Sequence, residues 1–86
     1  MARNKMFYVY ILKSKIDNKL YTGFSKDLKQ RIRDHDKGNV NSTKNRRPLE
    51  LIYYEAYRDK ESALKREKFL KTTKGKLQLK KQINIS

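Results

Sequence analysis

The run Met6-Phe7-Tyr8-Val9-Tyr10-Ile11-Leu12 limits the fold more than any other stretch of the chain. It is unbroken, bulky and rich in aromatic and β-branched residues, and it is too short for a typical helix. It predicts a strand at the centre of a sheet. Alternation along such a strand puts Tyr8 and Tyr10 on one face and Val9 and Ile11 on the other. Asp17-Asn18 follows as a turn dipeptide, because both side chains bond locally and Asn tolerates the left-handed region. Leu20-Tyr21-Thr22 with Gly23 then supplies a second strand, so the chain opens with a β-hairpin.

Beyond the hairpin, Ser25 is expected to cap a helix with Asp27 in its first turn, and Gly38 to close that helix after Lys37. Residues 39–47 lack apolar periodicity beyond Val40 and read as a mobile basic loop ended by Pro48. A third strand is predicted over 49–57, around Ile52, Tyr53 and Tyr54. Asp59 can cap a second helix over 60–71, with Glu61 in its first turn. Thr72, Thr73 and Gly75 interrupt it before a last short basic helix over 74–82. The order is ββαβαα: an α+β fold with a small three-stranded antiparallel sheet flanked by helices. One domain over 6–82 is expected, with flexible termini at 1–5 and 83–86.

Composition narrows what such a domain can do. A chain of 86 residues is one domain that buries only about 60% of its unfolded surface, so local signals must agree. With no cysteine there is no disulfide frame, thiolate nucleophile or zinc knuckle. A single histidine excludes a His-cluster metal site. No apolar run reaches the roughly 20 residues that span a bilayer, so a cytoplasmic monomer without membrane contact is expected. Twenty-three Lys plus Arg against nine Asp plus Glu give a net charge of +14, which favours polyanions such as DNA or RNA. Lys44, Arg46 and Arg47, with Lys74 in the basic stretch 71–81, are candidates for backbone contacts; the alternative is a pair of solvated faces.

Three placements stand out. On a helix over 60–71 the stripe Ala63, Leu64, Leu70 carries Glu67 in its middle, where a lone carboxylate must be paired or metal-bound. A neighbouring Arg or Lys would satisfy it equally well. Arg31 and His35 are four apart on the first helix and share a ridge beside Leu28 and Ile32. Arg suits bidentate phosphate contact and His can move a proton near neutrality, although a solvated Arg and a half-buried helix histidine are the simpler alternatives. Tyr21 shares its face with Gly23, which leaves a hole beside a tyrosine, unless the tyrosines merely pack across the strands.

Together these residues resemble the GIY-YIG nuclease domain, most closely small stand-alone bacterial members described as endonuclease-like or excinuclease-C-like. Tyr8-Val9-Tyr10 and Tyr21-Thr22-Gly23 match the paired motif with residues 11–20 between them. Arg31 and His35 stand at the family's helix positions. Glu67, within Ala63-Leu64-Lys65-Arg66-Glu67-Lys68, matches its metal-binding Glu. The likeness runs from about residue 6 to 79. Tyr8 departs from the Gly of the family name and Thr22 from its middle Ile. Phe24 stands where some branches carry Lys or a small polar residue, a role Lys26 could take. The resemblance implies an endonuclease hydrolysing DNA phosphodiester bonds, RNA not being excluded, in DNA repair or recombination. A non-catalytic or weakly catalytic nucleic-acid-binding module on the same fold is the alternative. Glu67 would hold one divalent cation, Mg²⁺ or Mn²⁺, and Arg31 would offset charge on the phosphate. Tyr21 would take the proton of the attacking water, with Tyr10 or His35 as alternative base or positioning group. A tyrosine base needs its pKa lowered, which the metal and Arg31 could do. Tyr10, Tyr21, Arg31, His35 and Glu67 are expected to line one concavity, and targeting would come from a separate protein partner.

Overall fold

Strand β1 (Phe7–Ser14) occupies the middle of a three-stranded antiparallel sheet, between β2 (Leu20–Ser25) and β3 (Leu49–Tyr57). The structure, a computed structural model, describes residues 5–84. The central position explains the bulky run: Val9, Tyr10, Ile11 and Leu12 are all buried. The turn into β2 forms as its residues dictate. Asn18 takes a positive φ of 59°, and the Asp17 carboxylate accepts from the Lys19 backbone N–H at 3.0 Å.

Helices α1 (Leu28–Lys37), α2 (Lys60–Leu70) and α3 (Thr73–Gln82) complete the α+β order ββαβαα. Val9 and Ile11 face α2 and α3, where Ala63, Leu70 and Leu79 close the core. Each large apolar side chain buried there contributes about 1.5–3 kcal/mol. Gly75 lets α3 start directly against the end of α2, since a Cβ there would overlap the Phe69 carbonyl. On the opposite face, α1 covers Tyr10 through His35. Pairing of β1 with β3 shifts register between Ile11, opposite Tyr53, and Leu12, opposite Leu51. The extra residue, Ile52, lets both Ile52 and Tyr53 pack on the core, as a bulge allows.

Four local expectations change. Asp27, not Ser25, caps α1: its carboxylate accepts from Gln30 N–H at 3.1 Å. Ser25 ends β2 instead, and its hydroxyl bridges the Asp27 backbone N–H and C=O, each at 2.9 Å. Residues 39–47 are anchored rather than mobile, because Val40 and Thr43 are buried beside a 3₁₀ turn at Lys44–Arg46. On α2, Leu64 is 40% exposed, and the inward row is Ala63, Arg66, Glu67, Leu70, the i, i+3, i+4, i+7 ridge of a helix. Of the expected flexible ends, residues 1–4 and 85–86 lie outside the described residues, whereas Ile83 packs on the core.

Candidate functional site

On the α1 face of the sheet, Tyr10 is the hub. Its ring lies across Gly23, the residue opposite it on β2, and a Cβ at Gly23 would overlap the Tyr10 ring and hydroxyl. The hole expected beside Tyr21 is thus filled by Tyr10 itself. The buried Tyr10 hydroxyl lies 2.8 Å from His35 Nε2, and His35 Nδ1 lies 2.7 Å from Thr43 Oγ1. Arg31 Nε donates to the same Tyr10 oxygen at 3.4 Å. With Arg31 donating to the Tyr10 oxygen, we assign the tautomer in which the Tyr10 hydroxyl donates to Nε2 and His35 Nδ1–H donates to Thr43. Tyr21 closes the cluster, its ring 5.2 Å from His35 and 6.4 Å from Tyr10.

Burial first, then the Arg31 charge, hold His35 below its ordinary value near 6.5, so the ring is neutral at pH 7. Burial likewise pushes the Tyr10 hydroxyl up to about 12. The hydrogen bond from Arg31 opposes that rise, while the charges of Tyr21 and Glu67 add to it. At Tyr10 desolvation outweighs the hydrogen bond and charge of Arg31. Tyr10 and His35 also sit beneath the surface instead of lining a concavity. Arg31, Tyr21 and Glu67 are the partly exposed members.

Glu67 arrives from α2, the layer on the other face, yet its charge reaches Tyr10. Its side chain is 19% exposed and pairs with Lys71 Nζ at 3.1 Å, with Lys71 itself 56% exposed. Among the described residues no group of three His, Asp or Glu converges. Glu67 is a single carboxylate, within the one or two that Mg²⁺ takes while water and phosphate fill its remaining positions. Lys71 is a loose counter-ion that a divalent cation could replace.

A second polar cluster lies on the α2/α3 face. Glu55 accepts a bidentate pair from Arg66, both bonds 3.0 Å, and also the hydroxyls of Tyr53 and Tyr57. Burial alone would raise Glu55, but these donors outweigh it and hold the carboxyl below its ordinary range. Gln82 bonds both Arg66 and Tyr53.

The cationic candidates separate. Lys44, Lys26 and Lys74 are exposed. Arg47 is engaged: it donates to the carbonyls of Lys44 and Asp36 at 2.9 and 3.2 Å. Its guanidinium lies over Gly38, whose φ of 80° ends α1. Arg46 joins Lys13, Lys19, Lys76 and Lys80 around a cavity of about 500 Å³ at the hairpin end of the sheet, and no acid lines it. Thr43 and this convergence were not legible beforehand. A lone Thr in a polar loop carries no pattern, and the five cations come from four separate elements.

Comparison with known proteins agrees with the fold. The family model for the GIY-YIG catalytic domain matches residues 6–83. A UPF0213 protein of Staphylococcus saprophyticus is 46% identical over 74 residues, 85% of this chain and 89% of the relative. A UPF0213 protein of Staphylococcus aureus is 47% identical over 66 residues, 76% of this chain and 79% of its own. The solution NMR structure of a UPF0213 protein from Bacillus halodurans superposes with a TM-score of 0.56 at 36% identity, covering 86% of this chain and 81% of that one.

Proposed function

The chain belongs to the GIY-YIG family, and from that membership we propose that it is a metal-dependent endonuclease that hydrolyses DNA phosphodiester bonds in repair or recombination. The observation that carries this reading is the relation between floor and rim at the Tyr10 cluster. The floor, Tyr10-His35-Thr43, is buried and bonded end to end, while Arg31 and Tyr21, which touch it, keep exposed surface, and Glu67 is a partly exposed residue of α2.

Each residue has a distinct task. Tyr10 takes only the Nε donor of Arg31, so the remaining guanidinium donors can engage a phosphate in a fixed orientation and offset charge in the transition state. His35 is neutral and buried, and it orients Tyr10 rather than exchanging protons with solvent. Tyr21, ring-packed and with no side-chain bond to its hydroxyl among the described residues, would accept the proton of the attacking water as its tyrosinate, its own proton having first been released to solvent. Glu67 holds the cation. A bound divalent ion supplies Lewis-acid charge to the phosphate and leaving oxygens. Lys13, Lys19, Arg46, Lys76 and Lys80, with exposed Lys26, Lys44 and Lys74, hold the DNA backbone, which sets affinity and register rather than sequence choice. Targeting comes from a separate protein partner.

Cleavage of duplex, nicked, branched and single-stranded DNA, with and without Mg²⁺ or Mn²⁺, tests the proposal. Metal-dependent product on any of them supports it, and none on all of them overturns it. A second reading, a binding module that cleaves poorly, is favoured by the Glu67–Lys71 pair, which satisfies the carboxylate without metal. It predicts salt-sensitive DNA binding and no metal dependence.

A further inference from the structure

The six tyrosines divide by what their hydroxyls do. Those of Tyr10, Tyr53 and Tyr57 are bonded inside the protein. Those of Tyr8, Tyr21 and Tyr54 engage no side chain among the described residues, and alternation and register place all three on the α1 face. Tyr21 is absorbed by the site described above. Tyr8 and Tyr54 are not. Tyr54 is 52% exposed, directly opposite Tyr10 in register, and its ring meets Tyr8 edge to face at 6.1 Å and 61°.

The two rings wall a cavity of about 340 Å³ together with Lys26, Asp27, Leu28 and Lys29. Asp27 is occupied as the α1 cap, so the cavity presents two aromatic rings, an apolar side chain and two lysines against one carboxylate, a net positive lining. Arg31 lies three residues beyond Leu28, on the same face of α1. Tyr8 is two residues, about 7 Å along the strand, from Tyr10. A nucleotide whose phosphate is held by Arg31 therefore brings its neighbour's base to these rings.

We propose that Tyr8 and Tyr54 form a shelf on which one unpaired nucleobase stacks, its flanking phosphates meeting Lys26 and Lys29. The proposal rests on the nuclease reading for its ligand class and goes beyond it by naming the DNA form preferred: forks, flaps and bulges over paired duplex. Bases inside a duplex are stacked on one another and cannot reach such a shelf without being extruded. Every base has a π-face, so the shelf reads unpairedness and not sequence.

Fluorescence anisotropy in EDTA, with the full chain, decides the matter. The probes are a labelled fork, the same fork with an abasic single-stranded arm, and a fully paired duplex. Tyr54→Ala is expected to weaken fork binding about tenfold while changing duplex binding less than about twofold. Tyr54→Phe keeps the ring and should bind as wild type. The abasic fork should bind wild type as weakly as the intact fork binds the alanine variant. Equal losses on fork and duplex, no loss on either, or no binding of any probe by wild type overturns the shelf. A wild type that prefers forks but never cleaves leaves the shelf standing and removes only the nuclease reading.

Discussion

The two polar clusters, one on each face of the sheet, use similar residue types to opposite ends. Around Glu55 every strong donor turns inward: Arg66, Tyr53 and Tyr57 converge on one carboxylate, and Gln82 ties Arg66 to Tyr53. The Arg66 guanidinium also lies 5.7 Å from the Phe69 ring. The carboxylate at its centre is saturated by these donors. Around Tyr10 the same closure holds only at the floor, through His35 and Thr43. Beside it, Arg31 spends one donor on Tyr10 and the Tyr21 hydroxyl engages no side chain among the described residues, while Glu67, on α2, is matched by an exposed lysine. A carboxylate saturated by donors is fold, whereas one left with a loose partner is available for chemistry.

Mutations can break that contrast. The largest expected effect is on the open side: Arg31→Ala should lower metal-dependent cleavage by about a thousandfold while the urea midpoint moves by less than about 1 kcal/mol equivalent. Next comes the closed side. Glu55→Ala strands Arg66 and two hydroxyls, and equilibrium unfolding should show a loss of about 3 kcal/mol, with residual activity proportional to the folded fraction. If Glu55→Ala instead abolishes cleavage in a fully folded protein, the division between the clusters is wrong.

Smaller effects sharpen the account of the floor. Thr43→Val leaves a buried imidazole N–H without its acceptor and should cost about 1–3 kcal/mol of stability. The pH dependence follows from His35, whose folded pKa is depressed, chiefly by burial. Its contribution is fully present above the unfolded value near 6.5 and is lost as pH falls through the lower folded value. Denaturation between pH 6.5 and 5, above the carboxylate range, should show declining stability in wild type and a flatter profile in His35→Gln. A parallel decline in the variant would place the sensitivity elsewhere.

How much of this was legible beforehand depended on the range of each signal. Short-range patterns carried through: the Met6–Leu12 run, the Asp17-Asn18 turn, the Asp59 cap and the Gly38 terminus all formed as their residues dictate. So did the inward position of Glu67, even though Leu64 turned outward. The α1 cap failed because two capping residues stand two apart, and β2 ran on through Ser25 to leave Asp27 as the first free one. What sequence could not show was depth. The rise at Tyr10 comes from desolvation, which depends on α1 and the Thr43 loop folding over it. Glu55 drew no notice because its partner lies eleven residues on, across a strand end and a helix start, where no local period links them.

The central claim is that Glu67 is chemical and not structural. Glu67→Ala, assayed for Mg²⁺-dependent nicking of supercoiled plasmid beside DNA binding in EDTA, tests it directly. The account predicts nicking lost, binding kept and thermal stability within about 1 kcal/mol of wild type, the scale of a surface ion pair. Nicking that persists at the wild-type rate in the variant would contradict it.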